Sequence, residues 1–515
     1  MSLRLALLAS AAVAIALPAT AGVLLTPGDL IISSTLYEGN AGILAVGQAL
    51  PAGTTVPPTA VVASNDGSFP NVFKNTTPDA SFSVTAPIFL TQYMLGGTNA
   101  LPVVTKQNTI NLTALIGVVT SYASKSEGAL SVSPNGQNLT LLDYKTTINQ
   151  FDISNSNSLA VQEPGNYTAN ATPRTIVNLT TNGVTAVLPT NAYNGNNGRA
   201  AINVNGSYEM VGNAGNAQGS PATTAATGLQ FLNPATATQT AGAYNTTQGG
   251  AYNITQNGYP ADKTAKDNNF RGIAVANGTT YVSKGSGGNG INTVYQLNND
   301  GTLSILPGFN TALAKTSTTS FPFALYLPNA TTLYVTDEGA GTNKASTTAG
   351  ALAASDLASA AADSLAGLQK YSLVNGTWVL DYTLQSGLGL GTAYTVAGTT
   401  AGGDTGSYTA ATDGLRNLAG RTNADGTVSL FAVTSTISAA GDEGADPTKV
   451  VYINDLLSAT ALPSTELFQT VQTSQFGEVL RGVAFAPADI PVPEPASMAL
   501  LGMGLAGIAA AARRR

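Results

Sequence analysis

Three observations predict an all-β fold, built as a single β-propeller. Short β-type runs hinge on Asn-Gly or Asp-Gly, one hairpin of this kind recurs along the chain, and its last copy is split between the two ends. The pairs are Asn135-Gly136, Asn182-Gly183, Asn205-Gly206, Asn277-Gly278, Asp300-Gly301, Asn375-Gly376 and Asp425-Gly426. Most are flanked by alternating apolar residues, the strongest short-range hairpin signal. No long amphipathic helix competes with them, and the Ala-rich stretch 350–366 has room for one short helix only.

The clearest window is RGIAVANGTTYVSKGSGGNGINTVYQLNNDGTLSIL, residues 271–306. It reads as strands over 272–276, 279–283, 292–297 and 302–306, the size of one four-stranded propeller blade. Its first hairpin recurs at 127–145, 198–216, 321–339 and 415–435. Arg199, Arg271 and Arg416 stand at the equivalent place, just before the first strand. Second hairpins follow after variable loops, as in LQKYSLVNGTWVLDYTL, residues 368–384.

The split copy begins with LRGVAFAP (480–487), where Arg481 takes the repeated position. Its missing partner is GDLIISSTL (28–36), and residues 87–95 and 101–105 would complete the blade. Sharing one blade between the termini leaves the ring without a free edge. This gives six four-stranded blades, with room for a seventh in 38–80 or 213–268. A stacked solenoid or two sandwiches would also be all-β, but irregular repeat spacing disfavours the solenoid and the end-to-end complementation favours a ring. The inserts 213–268, 338–366 and 386–414 read as surface loops.

Composition removes several kinds of chemistry. The 515 residues include no Cys and no His. Disulfides, thiolate nucleophiles, a Ser-His-Asp triad and a His- or Cys-bound zinc are therefore excluded. A net charge of −7 and the lack of a basic patch in the body argue against nucleic acid. Only 10% of residues are charged, so solubility rests on Asn, Thr and Ser in turns rather than on Lys- and Glu-covered helices.

The two ends carry addresses. Arg4 precedes an apolar run from Leu5 to Leu17, and the small-x-small triplet Ala19-Thr20-Ala21 follows. This predicts a signal peptide over 1–21, cleaved after Ala21. The body then spans 22–490. At the far end come Val492-Pro493-Glu494-Pro495, an uncharged run from Ala496 to Ala512, and Arg513, Arg514 and Arg515. As a helix that run would be about 25 Å long against a hydrocarbon core of about 30 Å, a marginal span. The arginines would hold its end in the cytoplasm.

This tail, residues 491–515, resembles the PEP-CTERM sorting signal of Gram-negative bacteria. The resemblance implies recognition and removal of the tail by an exosortase, with the export machinery and, transiently, the inner membrane as partners. It also implies a destination at the cell surface or in an extracellular matrix rich in exopolysaccharide. A plain tail anchor without processing is the simpler alternative.

Candidate chemistry in the body is sparse, and no catalytic residue stands out. Gly285-Ser-Gly287-Gly-Asn-Gly290 matches a dinucleotide fingerprint but precedes a strand, so no helix N-terminus would receive a pyrophosphate. Asp442, Glu443 and Asp446 gather hard oxygen ligands on one loop and make calcium the one candidate cofactor. Arg199, Arg271, Arg416 and Arg481 would lie at one height around the ring. They would either face an anionic or polyhydroxylated ligand, or bond carbonyls between blades. The sequence thus predicts a non-enzymatic binding or structural module for polysaccharide or another surface protein. The alternative is a lactonase-like or glycan-degrading propeller with carboxylates and calcium at its channel.

Overall fold

A computed structural model describes residues 25–37, 49–50, 61–62, 85–122, 124–148, 172–193, 197–214, 227–250, 267–285, 289–316, 320–340, 351–399, 405–438 and 444–488. The signal peptide, Asp442, Glu443 and the tail from 491 lie outside them.

In chain order, β1 (Leu30–Leu36) is followed by the short pair β2 (Ala49–Leu50) and β3 (Val61–Val62). Next come β4 (Thr85–Gly97), β5 (Pro102–Asn111), α1 (Leu112–Ile116) and β6 (Val118–Ser121). Strands β7 (Ser131–Val132), β8 (Leu139–Lys145), β9 (Arg174–Thr180) and β10 (Gly183–Thr190) run next. They precede β11 (Gly198–Val204), β12 (Ser207–Gly212), β13 (Gly228–Leu232) and the short β14 (Gln239–Thr240), β15 (Ala243–Tyr244) and β16 (Thr247–Gln248). Then come β17 (Ile273–Ala276), β18 (Thr279–Lys284), β19 (Thr293–Leu297) and β20 (Leu303–Ile305). After β21 (Pro322–Asn329) and β22 (Thr332–Asp337), α2 (Ala354–Ala362) leads to β23 (Gly367–Val374) and β24 (Thr377–Leu384). The chain finishes with β25 (Ala393–Thr399), β26 (Thr405–Thr422), β27 (Thr427–Ser438), β28 (Lys449–Leu456), β29 (Gln469–Thr473) and β30 (Glu478–Phe485).

The fold is all-β, with four sheets in a propeller-like arrangement. They are β11-β12-β13-β16, β17-β18-β19-β20, β21-β22-β23-β24 and β25-β26-β27-β28-β29. An eleven-stranded sheet holds the rest except β2 and β3, which pair with each other. Within it β30 pairs with β1, β1 with β4 and β4 with β5, all antiparallel. The last strand therefore lies beside the first. In the same sheet β7, β8, β9 and β10 pair in sequence, and β6 bridges β4 to β8.

Turn chemistry explains the hairpins. Both residues of Asn205-Gly206, Asn277-Gly278 and Asn375-Gly376 have positive φ, between 50° and 87°. That is the type I′ geometry, whose twist matches the flanking strands. The 271–306 window forms β17 to β20 within one residue of the expected bounds. Two inserts read as loops are partly structured. Residues 386–414 contain β25 and the start of β26, because Tyr408 and Ala410 pack with Phe476 and with half-buried Tyr394 and Val396. Residues 213–268 contain β13 to β16.

The core is a series of layers between neighbouring sheets. Leu229, Ile273 and Tyr295 share one layer, Val294, Leu325 and Leu333 the next, and Leu368, Leu430 and Ile453 another. Leu30 and Leu480 pack with Phe431 and Tyr452, joining the terminal strands to β27 and β28.

Candidate functional site: the central shaft and its arginine end

The first strand of every repeated hairpin faces a common axis. β7 packs against β11, β11 against β17, β17 against β21, β21 against β26, β26 against β30, and β30 back against β7. These strands surround a cavity of about 420 Å³, and no residue of the second strands lines it. Hydroxyls on four of the second strands reach the backbone of the next segment around the ring. Ser33 Oγ donates to Gly128 O (2.6 Å), Thr140 Oγ1 to Ala201 O (2.5 Å), Ser283 Oγ to Phe323 O and Thr336 Oγ1 to Arg416 O. Sequence reasoning missed these four residues. The signal was a Tyr-Val-Ser/Thr triplet at 281–283 and again at 334–336.

One end of the shaft is polar and sealed. Arg199 Nε and Arg271 Nη1 both donate to Ser126 Oγ at 3.1 Å, and Arg199 Nη1 also donates to Phe270 O (3.1 Å). Arg416 Nε lies 3.1 Å from Glu338 Oε2, with Lys125 Nζ at 3.5 Å from the same atom. Arg481 donates to the carbonyls of Ser121, Tyr122 and Ser124. All four arginines are buried. Arg199, Arg416 and Arg481 lie inside their strands rather than just before them, and β26 begins eleven residues ahead of Arg416. Each arginine therefore reaches a neighbouring segment: Arg199 and Arg271 the loop before β7, Arg416 the end of β22, and Arg481 the end of β6.

Close packing at this end needs missing side chains. A Cβ on Gly272 would sit 2.0 Å from Phe323 O, and one on Gly482 would sit 2.7 Å from Gly128 O. Each glycine directly follows one of the arginines, so the strand backbones meet where the guanidinium groups anchor.

Electrostatics follow the sealing. Burial would raise the Glu338 carboxyl, but Lys125, Arg416 and Arg271 more than offset it and hold it below its ordinary value. Glu127 is raised by burial, with Arg174, Tyr144 and Arg481 offsetting part of the shift. Asp143 is pushed well above the carboxylate range, first by burial and then by the Glu127 charge. Tyr144 donates to Glu127 Oε1 at 2.6 Å. These two acids lie inside the protein and do not line the cavity.

Among the described residues no acidic side chain lines the shaft. Arg271 is the one charged residue among those lining it, and aliphatic residues such as Leu130, Ile273, Val275 and Leu325 dominate. Burial falls away along the strands. Arg271 and Asn417 are buried, whereas Asn277, Asn329 and Pro134 are exposed, so the shaft is closed at the arginine end and open at the hairpin turns. Of the loop acids read as calcium ligands, Asp446 is buried and accepts from Tyr408 (2.5 Å), Thr436 (2.7 Å) and Ser438 (2.9 Å). Among the described residues no group of three His, Cys, Asp or Glu is placed to hold a metal ion. Of the glycine-rich stretch 285–290, residues 286–288 lie outside the described residues, and Gly290, ahead of strand β19, has φ +72°.

Beyond the shaft, β1 and β30 pair antiparallel in one sheet. Residues 491–515 match the PEP-CTERM protein-sorting motif. The motif marks an exosortase-targeted protein, exported to the cell envelope or surface. Val492, Pro493, Glu494, Pro495 and the three terminal arginines all lie within the match. No curated protein matches the chain. Among solved structures it is similar to an S. cerevisiae Dbp5 variant bound to Nup159, a Gle1 variant, IP6 and ADP. That match has 11% identity over 72% of this chain and 79% of the other, with a TM-score of 0.25. It is also similar to two Synechocystis apocarotenoid oxygenase variants, at 10% and 9% identity, each over 87% of this chain and 67% of the other, with TM-scores of 0.21 and 0.19. Among the described residues no helix is long and apolar enough to cross a membrane.

Proposed function

We propose that this chain is an exosortase-processed, six-bladed propeller. In this reading it serves as a non-enzymatic binding or structural module at the cell surface or in the extracellular matrix, associated with exopolysaccharide. The observation that carries the reading is the PEP-CTERM match at 491–515, which follows the last strand, β30, in the sequence. The cycle of packing among β7, β11, β17, β21, β26 and β30 supports a count of six. The pairing of β30 with β1 supports one blade shared between the termini. Residues 1–21 serve as the cleaved signal peptide, and the apolar run 496–512 holds the protein in the inner membrane until the exosortase acts.

The arginines are assigned a structural role, tying neighbouring segments at one end of the shaft. The hydrolase alternative asks for carboxylates converging on the cavity, and no Asp or Glu lines it. Its calcium would rest on Asp442, Glu443 and Asp446, of which Asp446 already accepts three hydroxyl donors.

The test uses the full chain in a host that carries an exosortase. Wild-type protein is expected to lose the segment after the Pro493-Glu494-Pro495 motif and to reach the surface or the medium, as read by intact mass. A variant with Pro493→Ala, Glu494→Ala and Pro495→Ala is expected to keep its tail and stay in the membrane fraction. Identical processing of both proteins would sink the sorting assignment. Co-sedimentation with the host exopolysaccharide should retain the protein without shortening the polymer, and shortening would overturn the non-enzymatic reading.

A further inference from the structure

We infer that Lys370 and Asp455 condense into an intramolecular amide, with Glu466 as the acid that shuttles the proton, so that two neighbouring sheets become covalently joined. Lys370 lies in β23 of the β21–β24 sheet, and Asp455 lies in β28 of the β25–β29 sheet. The bond goes beyond the proposed function and does not depend on it.

Lys370 Nζ stands 2.7 Å from Asp455 Oδ2, and neither side chain has any solvent exposure. Nζ also donates to Leu456 O (2.7 Å) and to Tyr382 OH (2.9 Å). It lies 5.6 Å and 5.2 Å from the centres of the Tyr334 and Tyr382 rings. Tyr382 OH in turn donates to Asp455 Oδ1 at 2.6 Å, and Tyr334 OH donates to Oδ2. A second acid comes from the segment between β28 and β29. Glu466 Oε1 accepts from Leu456 N at 3.1 Å, while its Oε2 is buried and accepts no hydrogen bond. The Glu466 carboxyl meets Asp455 acid to acid.

An ordinary buried ion pair has no use for a second acid, because two opposite charges in close contact already offset each other's burial. Glu466 brings a proton to this pair instead of a charge. Burial raises its carboxyl to about 8, and the hydrogen bond to Asp455 and the Asp455 charge add to the rise. It therefore holds its proton at neutral pH, as a carboxyl must if it is to donate in a dry site. Reacting atoms in a near-attack arrangement lie roughly 3–3.5 Å apart, and an amine hydrogen-bonded to Oδ2 is close to that distance from Cγ.

The groups present account for every proton. Lys370 passes one proton to Oδ2, which removes both charges from a site where charge is costly. Nζ then attacks Cγ. The C–N bond forms and the π pair of Cγ–Oδ1 moves onto Oδ1, where the Tyr382 hydroxyl donates to it. Glu466 gives its proton to the Oδ2 hydroxyl, which leaves as water with the electrons of its C–O bond. The π bond re-forms, and Glu466 recovers a proton from the nitrogen. Amine plus acid has become amide plus water, with no oxidant or reductant. Dry surroundings protect the product, because hydrolysis would need a water where neither side chain is exposed. The chain has no Cys for a disulfide, and the amide would link residues 85 apart in the way a disulfide does.

The full chain, purified from an exporting host, is read by intact mass and by peptide mapping. Wild type is expected to weigh one water less than the sequence between its observed termini. The peptides that carry Lys370 and Asp455 should be joined, and trypsin should no longer cut after Lys370. A succinimide at Asp300-Gly301 or Asp425-Gly426 would also lose water but would join no peptides, so the map separates the two. Lys370→Met is expected to show its full mass. Glu466→Gln keeps the Lys370–Asp455 pair and should show at least tenfold less joined peptide in freshly made protein. A wild type of full mass, or a water lost without the joined peptide, overturns the inference. Linkage in Glu466→Gln equal to that of wild type overturns the role given to Glu466.

Discussion

The two ends of the shaft are built from the same six strands and have opposite characters. At one end the guanidinium groups, Ser126 and Glu338 satisfy one another in a sealed layer. At the other the strands run out into hairpin turns and leave an open mouth at Asn277 and Asn329. Position along the strand decides between them. Beside the arginines, Gly272 and Gly482 let the backbone meet the next segment around the ring at close range. Buried charge at the first end is costly to break because each partner would be left behind in a dry site. The second end carries almost none, and so tolerates change.

That contrast is broken most severely at Arg481. Its guanidinium ties the last strand to carbonyls at Ser121, Tyr122 and Ser124, more than 350 residues away in sequence. Arg481→Ala leaves those buried acceptors without their donor and should cost about 3–5 kcal/mol, read from the midpoint of chemical denaturation. A loss below about 1 kcal/mol would mean that the junction does not depend on the arginine.

Glu338→Gln is a milder disruption with a pH signature. It removes the charge facing Arg416 and Lys125 and should cost about 1–3 kcal/mol at neutral pH. Because the folded carboxyl is held below its ordinary value of 4.5, its contribution is present above that pH. It is lost as pH falls through the depressed folded value. The wild type should therefore lose stability more steeply than Glu338→Gln as pH drops below about 4.5. Parallel acid-denaturation curves would remove Glu338 from the sealed layer.

Much of this architecture was legible because local chemistry and global arrangement agree. Asn277-Gly278 specifies its turn, and LRGVAFAP at the end finds LIISSTL at the beginning in the register shown by Leu30 opposite Phe485. The repeated arginines were legible as a set, since four copies of one residue in one context stand out even in an irregular repeat. Their partners were not, because Ser126, Glu338 and Lys125 lie in loops more than seventy residues away in sequence and no spacing rule links them. The extra hairpin at 393–411 was hidden by its Gly and Thr content, and it takes shape through Phe476, some seventy residues away. The shaft could not be read either. Alternation marks which residues alternate faces, but not which strand edge is left unpaired, and the unpaired edges make the lining.

The gentlest perturbation sits at the open end. Leu327 lines the shaft near its mouth, and it is half-buried against the layer that includes Leu325 and Leu333. Trimming it to Ala removes three carbons beside an existing void, so neither a new sealed cavity nor an unpaired polar group is created. The cost should be about 1 kcal/mol, below the usual range for a buried leucine. Measured beside Arg481→Ala in the same denaturant series, it should leave the denaturation slope unchanged and shift the midpoint by less than a third as much. If Leu327→Ala instead proves as damaging as Arg481→Ala, the open end is as tightly packed as the sealed one. The shaft would then close in solution.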